Sequence, residues 1–426
     1  MRRARPRWFA AFVLALAVPV LAPGRVPGQS APSAAVLQDV SGARAYQHIA
    51  ALSQRVGPHV AGTPEDRTTG TYIARQLEAD GYAVEWQAFP FRYFGVRSVE
   101  LSVPSQPALA LHPHAMIYSP PSPPGGITAG LVDAGIGRPE DIRGKALAGK
   151  IALIARGTLS FRDKVVNAEA AGAVATVVYN SRSEAFVGTL GGADIKVPVV
   201  SVSGGEGLQL LDLARSGPVT VRLNVQTVIE TRTTWNIIGT KLGARDPHRV
   251  LVVGGHRDTV EAGPGANDNT SGTAVTLELA RALSHVPLAA TVRFVLFGAE
   301  EEGLLGSNYY ARHLDGADRV MGMINLDMEG VGERLQLAWW SGPDALVALA
   351  MKLANQLGIR TVAARSQGSD HLSFESIGVP VVFLLRPDDP LIHTARDTID
   401  RVDPKLLEAS GRLAAALVLN LAGSPP

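Results

Sequence analysis

The sequence predicts an α/β protein: a mostly parallel mixed sheet covered by helices on both faces, with a small α/β domain inserted into it. Three observations carry that expectation. From Thr233 onward, near-continuous Val/Ile/Leu runs alternate with segments of helical spacing, the pattern of strands buried on both faces. Between about His112 and Val228 the texture shifts to shorter strands and turns, introduced by the run SPPSPPGG. Finally, 426 residues with 46% hydrophobic and 19% charged side chains suffice for more than one folded unit with ample core.

Taken in order, the chain begins with a positive stretch, MRRARPRW, an apolar run, FAAFVLALAVPVLA, and a small, Pro-rich segment. Residues 1–30 read as an export signal peptide, since a spanning helix needs about 20 apolar residues. The expected product is secreted or periplasmic, with no stable membrane insertion once the leader is removed. The absence of cysteine excludes disulfides, thiolate metal ligands and a thiol nucleophile. A net charge of +1 leaves no electrostatic footprint for nucleic acid.

Residues 40–111 hold a helix over Ala43 to Gln54, a second helix centred on Ile73 and stopped by Gly81, and then a strand. Residues 112–228 form the insert, with strands AGLVDAG, KIALIAR, TVVYN and VPVVSVS and a helix FRDKVVNAEAAGA. Residues 229–426 alternate strand and helix. Strands NIIGTKL and RVLVVGG lead to a helix from about Ser271 to Leu283, then strand TVRFVLFGA and helix LGSNYYARHL. Strand VMGMINLDM, a helix from Pro343 to Leu357, strand VPVVFLLR and a helix from about Pro404 complete the chain.

In such sheets ligands gather beyond the carboxyl ends of the strands. There RVLVVGG ends in His256 and Asp258, the next loop carries Asp268, and TVRFVLFGA ends in Glu300, Glu301 and Glu302. VMGMINL ends in Asp327 and Glu329, and VPVVFLLR is followed by Asp388, Asp389, His393 and Asp397. Each cluster alone has a plain explanation: a capping histidine, a turn, an acidic helix start. Together, so many carboxylates would repel one another unless divalent cations reconciled them. Asp258, two residues beyond His256, is expected on the same side of the strand, where it can hold the second imidazole nitrogen. GPGANDNTSG also places Asn267, Asn269, Ser271, Gly272 and Glu278 at calcium-loop intervals, but its first position lacks a carboxylate and its second half reads as helix.

HRD, GANDNTSG, GAEEEGLLGS, INLDMEG and HTARD, in this order and spacing, resemble the two-zinc aminopeptidases of the M28 peptidase family. RVGPHVAGTPEDRTTGTYIARQLEADGY resembles the N-terminal part of that family's catalytic domain. The segment GKIALIARGTLSFRDKVVNAEAAGAVATVVYN resembles its inserted protease-associated (PA) domain. The resemblance implies a zinc-exopeptidase fold and two Zn2+ ions per chain. His256 and Asp327 would hold one ion, Glu301 and His393 the other, and Asp268 both; Glu300 would be the general base, acting on a metal-bridging water, with Asp258 behind His256. Asp370 and His371 in SDHLSF would neighbour the substrate pocket.

The implied reaction is hydrolysis of the N-terminal peptide bond of peptides with a free N-terminus. A carboxypeptidase or dipeptidase of the same fold is the alternative, with Arg386 as a candidate for holding a substrate carboxylate against its plainer reading as a surface partner of Asp388. A glutaminyl cyclase or a non-catalytic, receptor-like binding module fits the intact ligand set less well.

Overall fold

The computed structural model describes residues 31–192 and 194–423, so the leader expected over 1–30 lies outside the described residues. Its centre is a mixed sheet running, from one edge, through strands Thr361–Arg365, Leu335–Trp339, Val381–Leu385, Arg319–Asp327, Asp246–His256, Ala290–Phe297 and Thr220–Lys241. Strands Val381–Leu385, Arg319–Asp327, Asp246–His256 and Ala290–Phe297 are mutually parallel, and the antiparallel pairings lie to either side of them.

The unbroken aliphatic character of these strands follows from burial on both faces. In Asp246–His256, Leu251 and Val253 join the large core beneath helices Thr270–Leu283 and Pro404–Leu421, while Val250 and Val252 join the core on the opposite face. Gly254 and Gly255 then let the neighbouring strands close in. A Cβ on the first would lie 1.8 Å from the Val295 carbonyl oxygen, and one on the second 2.2 Å from that of Leu326. The glycine pair before His256 is thus a packing requirement of the strand end.

Helix starts are set by side chains. Thr63 caps Pro64–Ala79 by accepting from the Asp66 N–H, and Gly81, at φ 83°, turns the chain into the next strand. Asn269 caps Thr270–Leu283 by accepting from the Gly272 N–H at 2.9 Å.

The inserted unit has its own parallel sheet of Ile127–Asp133, Ile151–Ala155, Ala175–Tyr179 and Val199–Val202, with His114–Ala115 antiparallel at its edge. Its cores are separate from those of the central sheet. Two long antiparallel strands, Ala83–Ser102 and Thr220–Lys241, join the two units; the second pairs with Ala290–Phe297 at one end and Ile127–Asp133 at the other. Helix Gly204–Ser216 and strands Leu335–Trp339 and Thr361–Arg365 are elements the sequence reading leaves unassigned. No described helix is long and apolar enough to cross a membrane.

Candidate functional site

The expected donors arrive from separate elements at one edge of the central sheet. His256 and Asp327 close adjacent parallel strands, Glu300 and Glu301 stand in the turn after Ala290–Phe297, and His393 lies in the loop after Val381–Leu385. Asp268 precedes helix Thr270–Leu283. His256 Nε2 lies 3.3 Å from Asp268 Oδ1, 3.5 Å from Asp327 Oδ1 and 3.9 Å from Glu300 Oε2. His393 Nε2 lies 2.9 Å from Asp268 Oδ2 and 3.2 Å from Glu301 Oε2. The two oxygens of one carboxylate therefore face two different imidazoles. His256, Glu300 and Asp327 offer donor atoms within 4.8 Å of one another, and so do His256, Asp268 and Glu301.

The electrostatics match that crowding. Burial alone would lower the His256 pKa, but the Glu300 and Asp327 carboxylates outweigh it and raise the pKa well above its usual value. Asp268 and Glu301 push His393 up to about 10. Burial raises Glu300 well above an ordinary glutamate, against the pull of His256. Burial also opposes ionisation of Asp268, yet hydrogen bonds from both imidazoles hold its pKa low.

Two oxygens at the centre, Glu301 Oε1 and Asp327 Oδ1, are buried without a hydrogen-bond partner. Such atoms are costly unless something satisfies them. Imidazoles and carboxylates are the donor types zinc takes in catalytic sites. The residues present fit a metal there.

Strained backbone borders the same place. Ala299, Met328 and His393 have φ of 56°, 63° and 58°, beside Glu300, beside Asp327 and at the donor itself. Ser369 Oγ donates to Asp327 Oδ2 at 2.8 Å, fixing which oxygen stays free. Asn269 accepts from the Met328 N–H at 3.2 Å and donates to the Leu326 and His256 carbonyls at 2.9 and 3.3 Å, tying two donor strands to the helix that follows Asp268. Behind His256, the guanidinium of Arg257 is fully buried against Asp66, Thr234 and the Trp235 carbonyl. These supports escaped the sequence reading. The asparagines flanking Asp268 and the arginine inside HRD were the available signals.

Two expected roles need correction. The His256 Nδ1 faces the Asp258 backbone carbonyl at 3.1 Å, with the carboxylate 3.8 Å away. The Asp258 carboxylate instead accepts the Glu300 and Glu301 N–H groups at 3.1 and 3.2 Å, so it fixes the glutamate turn. Arg386 is neither a surface residue nor free to meet a substrate. It is 2% exposed and donates to the carbonyls of Glu329, Gly332 and Glu333, while Asp388 pairs with Arg334. Asp370 and His371 are buried beside the cleft, close to Gly368 and Phe383 of its lining. Burial raises Asp370 to about 7, and the His371 ring stacks on Phe383 at 4.6 Å. The cleft itself, about 310 Å³, is lined by the donors and by Met328, Phe383, Leu385 and Ile392.

Residues 236–418 match Peptidase family M28, and residues 123–210 match the PA domain. The chain is 34% identical over 393 residues to aminopeptidase YwaD of Bacillus subtilis (strain 168), spanning 88% of this chain and 83% of that one. The solved aminopeptidase from Aneurinibacillus sp. strain AM-1 is similar with a TM-score of 0.82 at 35% identity, covering 92% of this chain and 97% of that chain. BSAP, a zinc aminopeptidase from Bacillus subtilis, gives a TM-score of 0.72 at 31% identity, covering 91% and 96%.

Proposed function

The chain belongs to peptidase family M28, and from that premise we propose that it is a zinc-dependent aminopeptidase, exported by its leader, that hydrolyses the N-terminal peptide bond of peptides. We assign residues 40–111 and 229–426 to the catalytic unit and 112–228 to the PA insert, with the strand Thr220–Lys241 passing from one to the other. His256 and Asp327 would hold one zinc, Glu301 and His393 a second, and Asp268 would serve both. The observation that carries this reading is the division of Asp268, whose Oδ1 faces His256 and whose Oδ2 faces His393.

Ions bound there supply Lewis acidity, polarising a scissile carbonyl and acidifying a water molecule. Glu300 is the general base. Asp258 fixes its peptide N–H and its carboxylate lines the cleft, where burial raises its proton affinity. It takes the proton of the attacking water at a carboxylate oxygen and returns it to the departing amine. Met328, Phe383, Leu385 and Ile392 keep water from the other wall and suit an uncharged N-terminal side chain. Arg386, committed to backbone carbonyls, is not available to hold the C-terminal carboxylate that a carboxypeptidase would need to bind.

The test is a panel of free-amine aminoacyl anilides, their N-acetylated versions and free dipeptides, with and without chelator. Chelator-sensitive cleavage confined to free-amine anilides is expected, and preference for a free C-terminal carboxylate would overturn the reading. Glu300→Gln should lower kcat by about 10²–10⁴-fold with zinc content unchanged. Full activity in that variant would remove Glu300 as the base.

A further inference from the structure

The loop carrying His393 has no regular structure to hold it, and the His393 side chain is 51% exposed. Two carboxylates in that loop are nonetheless buried, Asp389 at 5% and Asp397 at 2% exposure. Both turn toward the Asp268 segment. Asp397 accepts the N–H groups of Asn267 and Asp268 at 2.8 and 3.0 Å. Asp389 Oδ2 accepts from Asn267 Nδ2 at 3.0 Å, while its Oδ1 accepts from the Leu391 N–H and from Arg401. Asn267 itself is fully buried, and its Oδ1 accepts the Gly330 N–H at 2.9 Å, three residues beyond Asp327.

The Asn267 amide orientation is therefore forced. A carboxylate on one side requires its NH₂, and a peptide N–H on the other requires its oxygen. One side chain locks together the segments carrying Asp268, Asp327 and His393. We propose that Asn267 is the positioning residue for the second metal site: through Asp389 it holds the His393 loop in register with Asp268. This rests on the two-zinc reading above. A plain turn asparagine would need no particular partner at 389.

The polarity of the contact supplies the test. With its oxygen held by the Leu391 N–H and Arg401, the amide of Asp389→Asn puts a donor against the Asn267 donor, and flipping the Asn267 amide only moves the conflict to the Gly330 N–H. Adding Asn267→Asp reverses the 267–389 bond and keeps the other: a carboxylate at 267 accepts from Gly330 as before and from the new amide at 389, whose oxygen still serves Leu391 and Arg401. Zinc binding to the full chain is measured by equilibrium dialysis, with melting of the metal-free protein alongside.

Wild type should bind two zinc ions. Asp389→Asn should keep the tighter one within about threefold and bind the other at least about tenfold more weakly, as His393→Ala does more completely. The reciprocal pair, Asn267→Asp with Asp389→Asn, should recover most of that loss. Should Asp389→Asn not fold, the reciprocal pair must still fold and bind two ions. Two-zinc binding by Asp389→Asn at wild-type affinity, or a reciprocal pair no better than the single variant, overturns the inference alone. A wild type that takes up only one zinc overturns the two-metal reading and this inference with it.

Discussion

The two imidazoles that meet at Asp268 arrive by opposite routes. His256 is 1% exposed at the end of a strand packed on both faces, with glycines admitting its neighbours and a buried Arg257–Asp66 pair behind it. His393 is half-exposed on a loop, in left-handed backbone, held by two loop carboxylates that accept hydrogen bonds from the Asp268 segment. The first position is a product of the core and the second of a polar network. Changes behind His256 should therefore register in folding, and changes around His393 in metal binding.

Asp66→Ala gives the largest expected effect. It leaves the Arg257 guanidinium buried without its partner, and removing one member of a buried pair costs about 3–5 kcal/mol. Urea unfolding measures it, and a loss under about 1 kcal/mol would break the claim that core packing sets the His256 side. Next comes a direct contrast in metal-free protein. His256→Ala strips a fully buried imidazole from between Asp268 and Asp327 and should cost about 3 kcal/mol, whereas His393→Ala, at a half-exposed position, should cost no more than about 1 kcal/mol. Equal losses would erase the distinction.

The smallest effect is a pH dependence. His59, whose N–H donates to Thr259 Oγ1 on the His256 side, is wholly buried, and burial lowers its pKa from 6.5 to about 4. Below pH 6.5 the unfolded chain binds a proton that the folded chain refuses. The stabilisation is complete above that pH and is lost as pH falls through about 4. From pH 6.5 to 5.5 wild type should lose about 1 kcal/mol more than His59→Leu. Identical losses would show that His59 titrates alike in both states.

This contrast also marks what was legible in the sequence. The strand before His256 could be read because two-sided burial demands unbroken aliphatic residues, and GG-His-Arg-Asp interrupts that run visibly. Thr361–Arg365 could not, because an edge strand with exposed Val362 has no buried pattern to show. Helix Gly204–Ser216 opens on two glycines, and its Ser203–Glu206 capping box was the available signal. At the site, residue types at strand ends indicated where donors gather, the family resemblance implied which five, and the structure brings all five together. The direction a charged side chain takes was not legible. Asp258 turned to the glutamate turn and Arg386 to backbone carbonyls, since both outcomes depend on which N–H and C=O groups the folded loops leave unsatisfied.

The central claim is that Asp268 joins two metal positions, one built on His256 and Asp327 and the other on His393 and Glu301. Anomalous diffraction at the zinc edge from crystals of the zinc-loaded protein tests it most directly. Two peaks per chain are predicted, with Asp268 contacting both. One peak, or two that leave Asp268 out, would contradict it.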